Sequence, residues 1–166
     1  MNRQVLTSQI LIDDVAPALR AWARLMRAQA TTKRMLAVDL HEQHGLSFSA
    51  YEALWVLSRA EDRRLKRVDL AERLVLTPSG VTRLLEGLEG AGLVDRVACD
   101  TDLRVSYAQL TDAGVEKLEQ ASCGHTGSVR ALFEQHLDED EIETLAGLLG
   151  KLPGALDEDQ ACPTDG

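Results

Sequence analysis

The chain has 166 residues, 45% hydrophobic and only 4% aromatic, enough for one domain with a core and too few for two of ordinary size. No apolar run approaches the roughly 20 residues of a membrane-spanning helix, the N-terminal MNRQVLTSQILIDD meets acid too early for a secretory signal, and Cys99, Cys123 and Cys162 share no disulfide or metal-ligand spacing, so membrane insertion, secretion and a cysteine scaffold are excluded and the cytoplasm is expected. A net charge of −9 would exclude nucleic acid if it were spread evenly, but residues 1 to 58 sum to +1, 59 to 104 to 0 and 105 to 166 to −10, and residues 63 to 83 hold six cations (Arg63, Arg64, Lys66, Arg67, Arg73, Arg83) against Asp69 and Glu72.

The first predicted helix covers residues 13 to about 43. Val15, Leu19, Trp22, Met26, Leu36 and Leu40 recur at mixed spacings of three and four, the signature of one helix face. Asp13 or Asp14 is placed to cap it, Pro17 is tolerated in its first turn, and Gly45 ends it. In LSFSAYEALWVL, Ser49 and Glu52 stand as a capping box, and Ala50, Ala53, Leu54 and Leu57 form the stripe of a second, short helix. The charged run RAEDRRLKR reads as a loop or a solvated helix end. DLAERL is a third short helix with Leu70, Ala71 and Leu74 on one side, and only Val75, Leu76 and Thr77 lead from it into TPSGVTRLLEGLE.

That stretch opens on small residues before its leucines begin. Thr77 is an N-cap and Pro78 fits the first helical position, because its missing N–H has no helical partner there. Val81, Leu84, Leu85 and Leu88 form one stripe, which at 100° per residue turns Ser79, Thr82, Arg83 and Glu86 to the opposite face. Gly92 stops the helix and Leu93 folds back on it. LVDRVA and RVSYAQL then alternate as a two-stranded hairpin with a polar tip, CDTDL. Thr111 caps a helix running to about His136, with a weak point from Gly124 to Gly127. Asp138 and Glu141 open the last helix, striped by Ile142, Leu145, Leu149 and Leu152, and residues 153 to 166 have the composition of a disordered acidic tail.

Two short helices joined by three residues are the parts of a helix-turn-helix. A helix of roughly 10–12 Å diameter enters a major groove about 12 Å wide only if its leading turn is slim. Ser79 and Gly80 permit close approach, the helix N-terminus favours phosphate, and Thr82 and Arg83 carry donors for base edges. At the hairpin tip, Asp102 stands two residues before Arg104 and can hold its guanidinium by a charge-assisted bond, aimed for the narrow minor groove.

The ordered run DLAERLVLTPSGVTRLLEGLEGAGLVDRV, then DLR, then LTDAG resembles the multiple-antibiotic-resistance regulator (MarR) family of winged-helix transcription factors, over about residues 13 to 152. The resemblance implies a mainly α fold: a winged helix-turn-helix over residues 46–111 with a two-stranded β wing, dimerisation helices over 1–45 and 112–152, and an acidic tail over 153–166. It implies a homodimer on double-stranded DNA with a palindromic operator, most simply as a repressor. Ser79, Gly80, Thr82 and Arg83 become the major-groove set, Arg104 the minor-groove probe and Asp102 its orienting partner, with Arg96, Ser49 and Arg73 as phosphate contacts or supports. Val68 departs from the family, which often places a Ser or Thr cap before the third helix, and Asp69 is the expected substitute. Family members also bind small aromatic or anionic effectors, for which Trp22, Tyr51 and Arg59 are the candidates.

The dimer also has a basis in the residues, since apolar stripes at both chain ends would leave a monomer with wet apolar faces, and the −10 half turns DNA toward the winged lobe. His41 and His44 lie three apart on a helix, at most half a metal site, so no metal is assigned. Cys99 near the wing tip resembles a thiol switch but has no second cysteine close in sequence, which leaves a redox sensor as an alternative. The other alternative is a winged-helix module that binds protein instead of DNA. No nucleophile with a base, no phosphate-cradling Gly loop and no cofactor motif appears, so no catalytic residue, cofactor or enzymatic activity is expected.

Overall fold

The computed structural model describes residues 16–98 and 105–153. These form six α-helices and three strands: α1 Pro17–His44, α2 Phe48–Ser58, a 3-10 turn Glu61–Arg63, β1 Arg64–Lys66, α3 Arg67–Arg73, α4 Pro78–Gly90, β2 Val94–Ala98, β3 Ser106–Leu110, α5 Asp112–Glu134 and α6 Glu139–Leu149. The chain divides into two compact units, the first ending at Met35 and the second beginning at Leu36.

The described part of the first unit is α1 up to Met35, whose apolar stripe is open to solvent: Leu19, Trp22, Met26 and Met35 are all exposed. The second unit holds the core, in which Leu40, Leu46, Leu54, Leu57, Leu70, Val81, Leu85, Leu88, Val94, Leu110 and Leu118 are buried and no described polar or charged residue is. At about 1.5–3 kcal/mol for each fully buried aliphatic side chain, these contacts hold α2, α3, α4, the sheet and α5 together.

α1 ends at Gly45, in the left-handed conformation (φ +66) with its N–H donating to the His41 carbonyl at 2.9 Å, as the sequence predicts. The cap of α2 lies two residues before the expected one. Ser47, extended, accepts the Ala50 N–H at 3.1 Å, and Ser49 lies half-buried in the first turn instead of capping it. The charged run read as loop or helix end contains a strand, β1, so the hairpin becomes a three-stranded antiparallel sheet in the order β1-β3-β2, with Leu65 opposite Ala108 and Arg96 opposite Ala108 on the other side. Three residues with two exposed cations carry too little alternation to announce a strand, and β3 supplies its partner only across the fold.

α3 likewise begins at Arg67, after Lys66, with no side-chain cap. Asp69 is therefore not the substitute cap expected of it. It lies inside the first turn, where a carboxylate still favours the helix dipole. α5 runs unbroken through Gly124 and Gly127 from a Thr111 cap, and α6 opens with the expected capping box of Asp138 and Glu141. Gly124 has a packing reason: a Cβ there would stand 3.0 Å from Gln43 Oε1 and 3.1 Å from His44 Nε2. Nearby, the His125 ring lies 4.6 Å from the ring of Tyr51, whose hydroxyl shares a 3.2 Å hydrogen bond with the Ser122 hydroxyl. Burial holds the His125 imidazole below its ordinary pKa, and Asp39 opposes that shift.

Candidate nucleic-acid interface

The interface is built on α3, a short connection and α4. α3 ends in a left-handed turn at Val75 (φ 52), where the Val75 and Leu76 N–H groups donate to the Glu72 and Ala71 carbonyls at 3.1 and 2.9 Å. This is the helix ending that usually takes glycine. Val75 adopts it with its side chain in open solvent, 91% exposed.

Thr77 then opens α4 as expected. Its Oγ1 accepts the Gly80 N–H at 3.2 Å, lies 3.2 Å from Ser79 Oγ, and precedes Pro78 at the first helical position. A Cβ on Gly80 would stand 3.2 Å from that same Thr77 oxygen, so glycine keeps the capped turn uncrowded as well as slim. Thr82 Oγ1 donates to the Pro78 carbonyl at 2.9 Å. Its hydroxyl hydrogen is thus used within the helix, and it offers a methyl group and an acceptor lone pair outward. Ser79 and Arg83 are exposed, while Val81, Leu85 and Leu88 on the opposite face are buried and Leu84 is half-buried. The far end closes at Gly92 (φ +71), with the Gly92 and Leu93 N–H groups donating to the Glu89 and Leu88 carbonyls, both at 3.0 Å.

Half of the basic cluster read from the sequence is held by partners. Arg63 pairs with Asp112 at 3.2 Å, Arg64 with Asp62 at 3.2 Å while lying over the Tyr107 ring, and Arg67 with Glu89 at 3.7 Å. The last pair is largely screened from water and ties α3 to α4, a positioning contact that net-charge counting does not reveal. Lys66, Arg73 and Arg83 are exposed and form no ion pair among the described residues, as is Arg96 on β2. Asp102, Arg104 and Cys99 lie outside the described residues. Cys123, on α5, is an exposed free thiol.

The family model of MarR proteins ("MarR family") matches residues 44–104, from the end of α1 to the hairpin. The HTH-type transcriptional repressor YetL of Bacillus subtilis is 35% identical over 108 residues, covering 65% of this chain and 64% of YetL. A Sco3205 structure, a MarR family transcriptional regulator from Streptomyces coelicolor in complex with DNA, superposes with a TM-score of 0.71 at 28% identity, covering 78% of this chain and 81% of that one. AbsC from the same organism gives a TM-score of 0.71 at 29% identity over 81% and 91% of the two chains. Over residues 44–104 the chain matches the MarR family, and it is similar to MarR-family regulators of known structure over a longer span. The match spans just under two thirds of YetL. These relatives are transcriptional regulators and not enzymes, in keeping with the non-enzymatic reading of the sequence. No described helix is long and apolar enough to cross a membrane.

Behind Arg83 the protein carries an open cleft of about 690 Å³. Leu46, Leu84, Leu88 and Leu93 give it an apolar lining, with His41, His44, Arg83 and Lys117 also on its walls. Among the described residues no acidic one lines it. The effector candidates from the sequence are elsewhere. Tyr51 is buried beneath His125, Trp22 belongs to the first unit, and Arg59 lies over the Trp55 ring at 5.7 Å. Tyr51 and Arg59 stand eight positions apart along α2 and its C-cap, about 12 Å along the axis. Among the described residues no group of three or more His, Cys, Asp or Glu is placed to hold a metal ion.

Proposed function

We propose that this protein is a sequence-specific double-stranded DNA-binding repressor that acts as a homodimer in the cytoplasm. The carrying observation is α4. Its capped leading turn is narrow and exposed, Ser79 and Arg83 face outward, and buried leucines anchor the opposite face. Sco3205, of similar fold and 28% identity, was solved in complex with DNA, which supports DNA as the partner here. Ser79, Gly80, Thr82 and Arg83 meet the major groove, Arg104 oriented by Asp102 enters the minor groove, and Arg73, Arg96 and the α2 terminus around Ser49 flank the backbone.

Dimerisation is supported by the exposed Leu19, Trp22 and Met26 on α1 and Leu148, Leu149 and Leu152 at the chain's other end. It divides the protein into dimerisation helices over residues 1–45 and 112–152, the winged domain over 46–111 and a tail over 153–166. A two-fold dimer reads an inverted repeat with half-sites about 10 bp apart. The cleft behind Arg83 suits a small aromatic or anionic effector better than Trp22, Tyr51 and Arg59 do, because its basic groups and apolar walls are already together.

The test is selection of bound duplexes from a random pool by the full chain, followed by salt titration. An inverted repeat is expected. Arg83→Ala lowers affinity for the selected duplex by roughly 5- to 150-fold, the worth of one base contact, and Arg104→Ala flattens the salt slope. Recovery of no duplex at low salt overturns this reading in favour of the protein-binding module, which the net charge of −9 supports.

A further inference from the structure

The end of the recognition helix meets the start of α5 through one side chain. Thr111 Oγ1 donates to the Gly92 carbonyl at 2.8 Å and accepts the Gly114 N–H at 3.0 Å, while the Thr111 N–H donates to the Leu93 carbonyl at 3.2 Å. One hydroxyl therefore serves the first turn of α5 and the left-handed residue that terminates α4. Three residues on, Gly114 is buried against the same segment. A Cβ there would stand 2.2 Å from the Leu93 carbonyl oxygen and 2.6 Å from Leu110 Cδ1, so this close approach admits only glycine. The Val94 and Leu110 register pairing closes the loop from the strand side. The start of α5 is thus bonded to the residues that end α4, whereas α3 and α4 are joined across exposed Val75.

We infer that Thr111 and Gly114 rivet α4 to α5, so that α5 acts as a rigid lever whose position sets the aim of the recognition helix. Thr111 is in this sense a positioning residue remote from DNA. The consequence for DNA, though not the rivet itself, rests on the proposed DNA-binding function. In a dimer, two α4 helices held stiffly on their levers demand one half-site spacing, and loosened ones tolerate several. It also follows that a displacement of α5 is passed to α4 without being absorbed between them.

Thr111→Asp separates the two duties of the hydroxyl. A carboxylate still caps α5 by accepting the Gly114 N–H, but when ionised it has no hydrogen to donate to Gly92. Thr111→Ser keeps both. In the full chain, Thr111→Asp is expected to raise hydrogen exchange at the Gly92 and Leu93 amides by roughly three- to tenfold, the loss of about one hydrogen bond, with Leu54 and Leu57 unchanged and Ser restoring protection. On the selected operator, the affinity ratio between the preferred spacer and spacers longer or shorter by one base pair should shrink by a similar factor, again restored by Ser. The added negative charge weakens all duplexes alike and cancels in that ratio. Unchanged exchange at Gly92 and Leu93, or a uniform affinity loss with the spacer ratio intact, overturns the inference. Should Thr111→Asp fail to fold, Thr111→Ala with the same two readouts decides it, since the Gly92 carbonyl then also loses its donor. If the wild type selects no duplex, the DNA reading fails while the exchange result still judges the rivet.

Discussion

The winged lobe and the chain's two ends are patterned alike and end differently. Leu54, Leu57 and Leu85 on α2 and α4 have no exposed surface, whereas Trp22 on α1 is 63% exposed and α6 has no buried residue at all. All four helices show apolar residues at spacings of three and four. A stripe thus says that a helix needs a partner face, and whether that face belongs to the same chain depends on what the fold brings to it.

Breaking the comparison at its strongest point should give the largest effect. Leu85→Ala leaves a cavity beneath α4 and is expected to cost about 2–5 kcal/mol in urea unfolding. Trp22→Ala should leave monomer stability within about 0.5 kcal/mol and act instead on dimer dissociation, read by sedimentation at micromolar concentration. If Trp22→Ala destabilises a dilute monomer as much as Leu85→Ala does, the two stripes are not different in kind.

The turn between α3 and α4 sharpens the contrast on a smaller scale. Val75 occupies a left-handed position with no packing to lose, so Val75→Gly should raise stability by about 1 kcal/mol, seen as a higher denaturation midpoint with an unchanged slope. A loss of stability would mean that the Val75 side chain does more than endure the turn.

The smallest effect concerns His125, half-buried between the well-packed lobe and solvent. Its folded pKa lies below the ordinary 6.5 because burial disfavours the charged ring. The unfolded chain therefore takes up a proton first. Stability is complete above about pH 6.5 and falls as pH drops from there through the lowered folded value. His125→Phe should flatten that part of the stability profile, and an unaltered slope would show that other groups govern it.

Most of α4 was legible because its information is local. A threonine cap, a proline at the first position, a leucine stripe and a terminating Gly92 act within a few residues of one another, and the structure has each where the sequence suggests it. The caps of α5 and α6 were legible for the same reason. Ser47 was passed over for Ser49 because two serines two residues apart offer nearly the same signal, and the one whose backbone is extended wins. β1 was missed because its hydrogen-bond partners are more than forty residues away, at Tyr107 to Gln109. The basic cluster was overcounted because Asp112 and Glu89, which hold Arg63 and Arg67, are likewise distant in the chain.

By itself, then, the amino-acid order determined where helices begin and stop, which of their faces are apolar, and that a slim helix start carries an arginine outward. These follow from backbone hydrogen bonding and side-chain periodicity over a turn or two. Only the folded chain decided which stripes are buried, which arginines remain unpaired among the described residues, and that Thr111 and Gly114 clasp the end of α4. Those outcomes depend on contacts between residues far apart in sequence, whose cost in chain entropy is met only when the whole lobe assembles.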